Sequence, residues 1–467
     1  MTTAMLAHSR RGTLLIPFVI SCAVLGDRAV LGVSTGGRGA LGLVSIVAPL
    51  VALATIARYG PRRSLGFLVR PAFVWAIAPF IVLTAVLPVL GVMFYAFPER
   101  TLLAITGSTT ALSFLVIGAA LSSRQEGSWW RWLLLAIALQ LLYATGQAIY
   151  LARAPGWELF TPFHQWDLSM QVLYGALIQA RGTGLYFNPN ELGLWAGVAV
   201  ILAWSMLPPR IRSLGIALAV VTLVLSQSRG AVVALLVALA VGGVWSVARG
   251  RVTRSMALRT VLSFAVAGLV VTIVVAAIGP SRDFVTRFGA LLDVVTQGPR
   301  ADVNLAGRLD YWSAVMDLNV LYPWGTWGPP ETILGTAVDS SWFRAFSQGS
   351  VFYVASLALL IAAPFAVRDS RFGRGLFLVA ILVAVAGLTQ TPVDYPVIYL
   401  FWVLLGAGLQ STVVARTHPS AILPGPGTSN VIPAARDPLP GGHPGAQPVE
   451  SATEGPDSFS AVAQPAP

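Results

Sequence analysis

The chain is a succession of long apolar runs parted by short polar breaks, and that pattern leaves few folds open. As α-helices, runs of about twenty apolar residues match the hydrocarbon core of a bilayer; they are too long and too evenly apolar for membrane β-strands. Of the 467 residues 56% are hydrophobic and only 10% are charged, where a soluble domain carries about 25% charge. The expected fold is therefore an all-α, polytopic integral membrane protein with about 12 transmembrane helices. These fall roughly at 12–33, 39–57, 72–96, 101–122, 131–152, 186–207, 213–228, 230–247, 257–279, 347–367, 372–390 and 395–414. The first apolar run, from Thr13, is followed by many others and reads as a first span rather than a cleaved signal. Only Ser226-Gln227-Ser228-Arg229-Gly230 parts the seventh and eighth, so 213–247 reads as a tight helical hairpin.

Charge orients the spans. The net charge is +11 and every basic residue is Arg. With the N-terminus inside, the segments facing the cytoplasm collect Arg10, Arg11, Arg58, Arg62, Arg63, Arg70, Arg210, Arg212 and the cluster from Arg249 to Arg259. Short segments on the other side hold far fewer, so both termini are expected to be cytoplasmic. Two long loops, 153–185 and 280–346, then lie on the outer face. The membrane domain spans 1–415, and the Pro/Gly/Ser-rich stretch 416–467 reads as a disordered cytoplasmic tail. Arg in short loops sets orientation, so the basic balance does not point to nucleic acid. The single cysteine, Cys22, excludes an intrachain disulfide and a Cys cluster. His8, His164, His418 and His443 are too scattered to suggest a metal site.

Chemistry is expected in the loops. The 280–346 stretch mixes charge with Tyr311, Trp312, Tyr322, Trp324, Trp327 and Trp342, an outlay of aromatics that a plain linker does not need. Four constellations stand out. In Ala180-Arg181-Gly182-Thr183-Gly184-Leu185-Tyr186-Phe187-Asn188-Pro189-Asn190-Glu191, the glycines permit a turn. Asn188 is placed to cap a helix that Pro189 begins. Arg181 beside that N-terminus makes an anion site, or else snorkels to the interface. Arg229, in the turn 226–230, lies close to membrane depth, where a charge must be paired, face a polar cavity or reach the headgroups. Arg308 and Trp312 stand four apart on one helix face, ahead of Pro323-Trp324-Gly325. Rings beside polar groups suit a sugar, although a helix lying on the membrane surface has the same look. Asp339, in Asp339-Ser340-Ser341-Trp342, is a candidate base or a helix N-cap, and Asp310, His164 and Asp167 are further acid–base candidates.

The order Arg181-x-x-Gly184-x-x-x-Asn188-Pro189-Asn190, Ser226-x-Ser228-Arg229-Gly230, Arg308-x-x-x-Trp312, Pro323-x-Gly325-x-x-Gly328 and Asp339-Ser340-Ser341-Trp342 resembles the O-antigen ligase/O-antigen polymerase superfamily over about 180–365. The resemblance implies a metal-independent, cofactor-free glycosyltransferase in the bacterial cytoplasmic (inner) membrane. It would polymerise or ligate glycans carried on a polyprenyl diphosphate such as undecaprenyl diphosphate, at the outer face, onto a glycan or lipid acceptor. Polysaccharide-assembly proteins and membrane lipids are the further partners it implies. On this resemblance Arg181, Arg229 and Arg308 bind the diphosphate, Asn188, Asn190, Trp312 and Trp324 line the substrate site, and Asp339, then Asp310 and His164, are the candidate bases. Ligases of the family often carry His where this chain has Asp339, which tilts the expectation towards a polymerase. The rival expectation is a transporter or flippase of lipid-linked saccharides, which would show repeat symmetry and helices broken at matching positions.

Overall fold

The structure is a computed structural model that describes residues 14–25, 43–95, 98–122, 129–150, 181–186, 188–248, 293–294, 296–327, 330–334, 338–367 and 372–417. The expected span 257–279, His164 with Asp167, and the tail from 418 lie outside these residues.

Among the described residues there is no strand. The long helices are α1 Leu15–Leu25, α2 Leu43–Tyr59, α3 Ala78–Tyr95, α4 Pro98–Leu121, α5 Trp129–Tyr150 and α6 Pro189–Met206. They continue with α7 Pro209–Ser226, α8 Arg229–Ala248, α9 Val303–Leu321, α10 Ser341–Ala362, α11 Gly373–Ala386 and α12 Ile398–Thr417. Among the described residues four segments are long and apolar enough to cross a membrane, Phe73–Phe94, Pro209–Ser226, Arg229–Val247 and Ser341–Val367. Shorter apolar helices accompany them, among them Gly373–Ala386 and Ile398–Ser411. The expected loop 280–346 is not featureless: it contains α9 and a short helix, Glu331–Leu334, and α10 begins inside it.

Helix α6 is the axis of the packing. From Glu191 to Ala203 every residue is buried, as an all-round apolar helix requires. Helix α7 packs on α6 and α5, while α8 packs on α11 and α6. The expected tight hairpin of 213–247 is thus corrected: α7 and α8 part from their common turn and pack mainly on other helices. Gln227 turns the chain in the left-handed region at φ 49°, and α6 takes up apolar surface that a hairpin would have buried internally.

Helices α4 and α12 cross through glycine. A Cβ on Gly118 would lie 2.0 Å from the Val403 carbonyl oxygen, and one on Gly406 would lie 2.1 Å from that of Leu115. Small residues let helix backbones meet in this way when no water is present to drive association. Helix α10 is held to α3 by a 2.9 Å hydrogen bond between the Thr84 and Tyr353 hydroxyls and by stacking of Phe80 on Tyr353. It is also broken. Gly349 (φ −146°, ψ 24°) and Ser350 (φ 55°, ψ −154°) leave the helical region. The freed carbonyls find donors in the preceding loop, Thr326 N–H to Ser347 O at 2.7 Å and Trp327 N–H to Gln348 O at 3.0 Å. A buried helix break needs such partners, because an unmet backbone group away from water is costly.

Candidate glycan-transfer site

The first constellation folds as a turn leading into α6. Asn188 caps the helix, its Oδ1 accepting from Asn190 N–H at 2.8 Å, and Pro189 occupies the first helical position where its missing N–H costs nothing. Gly184 takes φ 59°, and a Cβ there would lie 2.2 Å from Gln140 Oε1. Two buried glutamines on α5 hold the turn. Gln147 Oε1 accepts from Thr183 N–H and Gly184 N–H, both at 2.8 Å, and Gln140 Oε1 accepts from Leu185 N–H at 2.9 Å. Sequence reasoning passed over both, because a single Gln in an apolar run gives no periodic signal.

From this turn Arg181 reaches the second constellation. Its Nε donates to the Ser226 carbonyl at 3.3 Å, its Nη2 donates to Asn190 Oδ1 at 3.2 Å, and Gly182 N–H donates to Leu225 O at 2.8 Å. Ser228 Oγ donates to the same Asn190 oxygen at 3.2 Å. One residue on, Arg229 forms an ion pair with Asp302, whose side chain is only 6% exposed. Asp302 also caps α9, accepting from Leu305 N–H at 3.0 Å. Of the outcomes expected for a charge in that turn, pairing is the one that the structure gives Arg229.

Helix α9 then presents Arg308 and Trp312 to the start of α10. Arg308 Nη2 lies 3.7 Å from Asp339 Oδ2, and Trp312 stacks on Phe343 with centroids 4.8 Å apart at 13°. The two residues do share a face. Asp339 does not cap α10: Ser340 does, its Oγ accepting from Phe343 N–H at 3.4 Å and donating to Gly387 O at 3.0 Å. Asp339 stands one residue ahead of the cap, with its side chain 59% exposed.

The connection between α11 and α12 completes the site. Ser341 N–H donates to Gly387 O and Gln390 O, both at 2.9 Å, and Gln390 Nε2 donates to Ser228 Oγ at 3.4 Å. Contacts and chain connectivity together close a circuit: Ser228 to Gln390, Gln390 to Ser341, along the chain to Asp339, across to Arg308, along α9 to Asp302, across to Arg229 and along the chain back to Ser228. Arg181 and Asn190 join it at Ser228. Asp302 and Gln390 were not singled out from the sequence; the only hints were a carboxylate at the start of an Arg/Trp helix and a Thr-Gln-Thr break between two apolar runs.

Four described candidates stand outside the circuit: Asn188, which caps α6, Trp312, which stacks on Phe343, Asp310 and Trp324. Asp310 faces solvent on α9 and pairs at 3.7 Å with the equally exposed Arg300. Trp324 is 66% exposed and stacks on Phe352. Among the described residues no group of three or more His, Cys, Asp or Glu side chains comes together as metal ligands.

Chemically, a guanidinium beside a partly exposed carboxylate can bind an anionic group, while the carboxylate can accept a proton. No curated protein matches the chain. Residues 214–346, from α7 through Arg229 and Arg308 to Asp339 and the first turn of α10, match the family model described as O-antigen ligase. Over that stretch, less than a third of the chain, the protein is similar to the O-antigen ligase family, and the match supports a relation to the O-antigen ligase superfamily.

Proposed function

We propose that the protein transfers a glycan from a polyprenyl diphosphate carrier to a sugar hydroxyl at the outer face of the cytoplasmic membrane, as a polymerase. The spans beyond the four longest apolar segments would be supplied by the shorter helices and the 257–279 run, with both termini cytoplasmic. The observation that carries this reading is the circuit itself. It links Arg181, through Asn190 and Ser228, and Arg229, through Asp302, to the helix whose Arg308 lies 3.7 Å from Asp339.

In the proposed reaction Arg181, Arg229 and Arg308 hold the diphosphate by charge-assisted, bidentate hydrogen bonds. Trp312 and Asn190 flank the sugar. Asp339 takes the proton of the acceptor hydroxyl as its oxygen attacks the anomeric carbon. The anomeric carbon–phosphate oxygen bond breaks, and the diphosphate leaves on its lipid with its new charge held by the arginines. These guanidinium groups can supply that stabilisation without a metal ion.

The test is a gel of lipid-linked and surface glycans from cells making wild-type or Arg308→Ala protein at equal levels. Single lipid-linked repeats that accumulate while long chains vanish are the expected outcome. Long chains left on the carrier would assign ligation to an acceptor instead, and an unchanged pattern would overturn the site.

A further inference from the structure

Gln390 is 4% exposed and lies in the connection between α11 and α12. It touches both halves of the circuit. Its backbone carbonyl accepts Ser341 N–H at 2.9 Å, beside the Asp339 turn. Its side-chain amide donates to Ser228 Oγ at 3.4 Å, beside Arg229. The amide is seated against Gly230, where a Cβ would come within 2.7 Å of Nε2.

The direction of these bonds matters. A serine hydroxyl has one proton. Because Ser228 accepts from Gln390 Nε2, that proton is available to Asn190 Oδ1, 3.2 Å away. Asn190 then turns its carbonyl oxygen, rather than its NH2 group, towards Ser228. The same oxygen accepts Arg181 Nη2 at 3.2 Å. Arg181, which can only donate, holds the Asn190 oxygen from one side, and the Ser228 hydroxyl, itself held by Gln390, braces it from the other.

We propose that Gln390 is a positioning residue: through Ser228 and Asn190 it braces a hydrogen-bond chain that orients the Arg181 guanidinium towards the donor's phosphate. This rests on the assignment of Arg181 to the diphosphate. Gln390 itself touches no substrate. Its second bond, to Ser341 N–H, ties the chain to the turn that carries Asp339.

The experiment measures the binding of farnesyl diphosphate to the full chain in nanodiscs, as a double-mutant cycle. Gln390→Met keeps the volume and removes the donor. In the wild-type background it is expected to weaken binding about three- to tenfold, the worth of one hydrogen bond. In an Arg181→Ala background it is expected to do nothing further, because its effect passes through Arg181. A merely structural role would weaken both backgrounds alike. If Arg181→Ala weakens binding but Gln390→Met has no effect, or the same effect in both backgrounds, the proposal is overturned and the function stands. If Arg181→Ala leaves binding unchanged, the functional reading fails instead. Should Gln390→Met not fold, Ser228→Ala breaks the same chain one link nearer to Arg181, and the same cycle decides in the same terms.

Discussion

Arg308 holds a guanidinium nitrogen 3.7 Å from the Asp339 carboxylate, across the gap between α9 and the start of α10. The pair is partly open to solvent, so it contributes little to stability, and its value lies in geometry. Asp339→Asn is therefore expected to leave thermal melting of the purified protein unchanged. Glycan transfer is expected to fall by about 10²- to 10⁴-fold, the usual worth of a general base. Melting curves and a transfer assay on one preparation check both; a variant that keeps its activity would remove Asp339 from the chemistry.

The Arg229–Asp302 pair should behave in the opposite way. It is largely buried, and Asp302 also caps α9. Removing one partner of a buried pair costs about 3–5 kcal/mol, because the other charge is stranded. Asp302→Asn keeps a good cap and loses only the charge. Asp302→Ala loses both and should be less stable still, by about 1 kcal/mol. Thermal melting in one detergent ranks the three proteins.

The glycine crossing of α4 and α12 leaves no room for a side chain. Gly118→Leu or Gly406→Leu should force the two backbones apart and lower stability by at least the 1–3 kcal/mol, roughly, of an overpacked core. The yield of monodisperse protein on size-exclusion chromatography reads this directly.

Trp312 and Phe343 stack with rings 13° from parallel. A double-mutant cycle with Trp312→Leu and Phe343→Leu should give a coupling of about 0.5–1.5 kcal/mol in melting free energy. A coupling near zero would mean that the stack does not fix the angle between α9 and α10.

The sequence foretold the existence of helices well where long apolar runs define them, and the structure places the ends of several within a few residues, as with Pro189–Met206 against 186–207; four of the segments are long and apolar enough to be candidate spans among the described residues. The Arg181 turn was equally legible, because Gly184, Asn188 and Pro189 each answer a local backbone need. What stayed hidden is what depends on a distant partner. Asp302 became meaningful only once Arg229 was seen against it. Gln390 had no motif around it, and its partner Ser228 stands 162 residues away in the chain. The break at Gly349 and Ser350 could not be read either, since one Gly in an apolar helix is ordinarily tolerated. It becomes a break only because residues 326–327 are there to satisfy it.

The pinning of α10 by Gly387 and Gln390 has a consequence for how the protein is made. Ser340 at the head of that helix bonds to a carbonyl 47 residues further along the chain. A ribosome that has just released α10 has therefore produced every arginine of the circuit and Asp339, but not the clasp that sets them. The clasp arrives only with residues 387–390. Until that connection has been made, Ser341 and Ser228 lack the partners that join them, so the circuit closes only after it has folded.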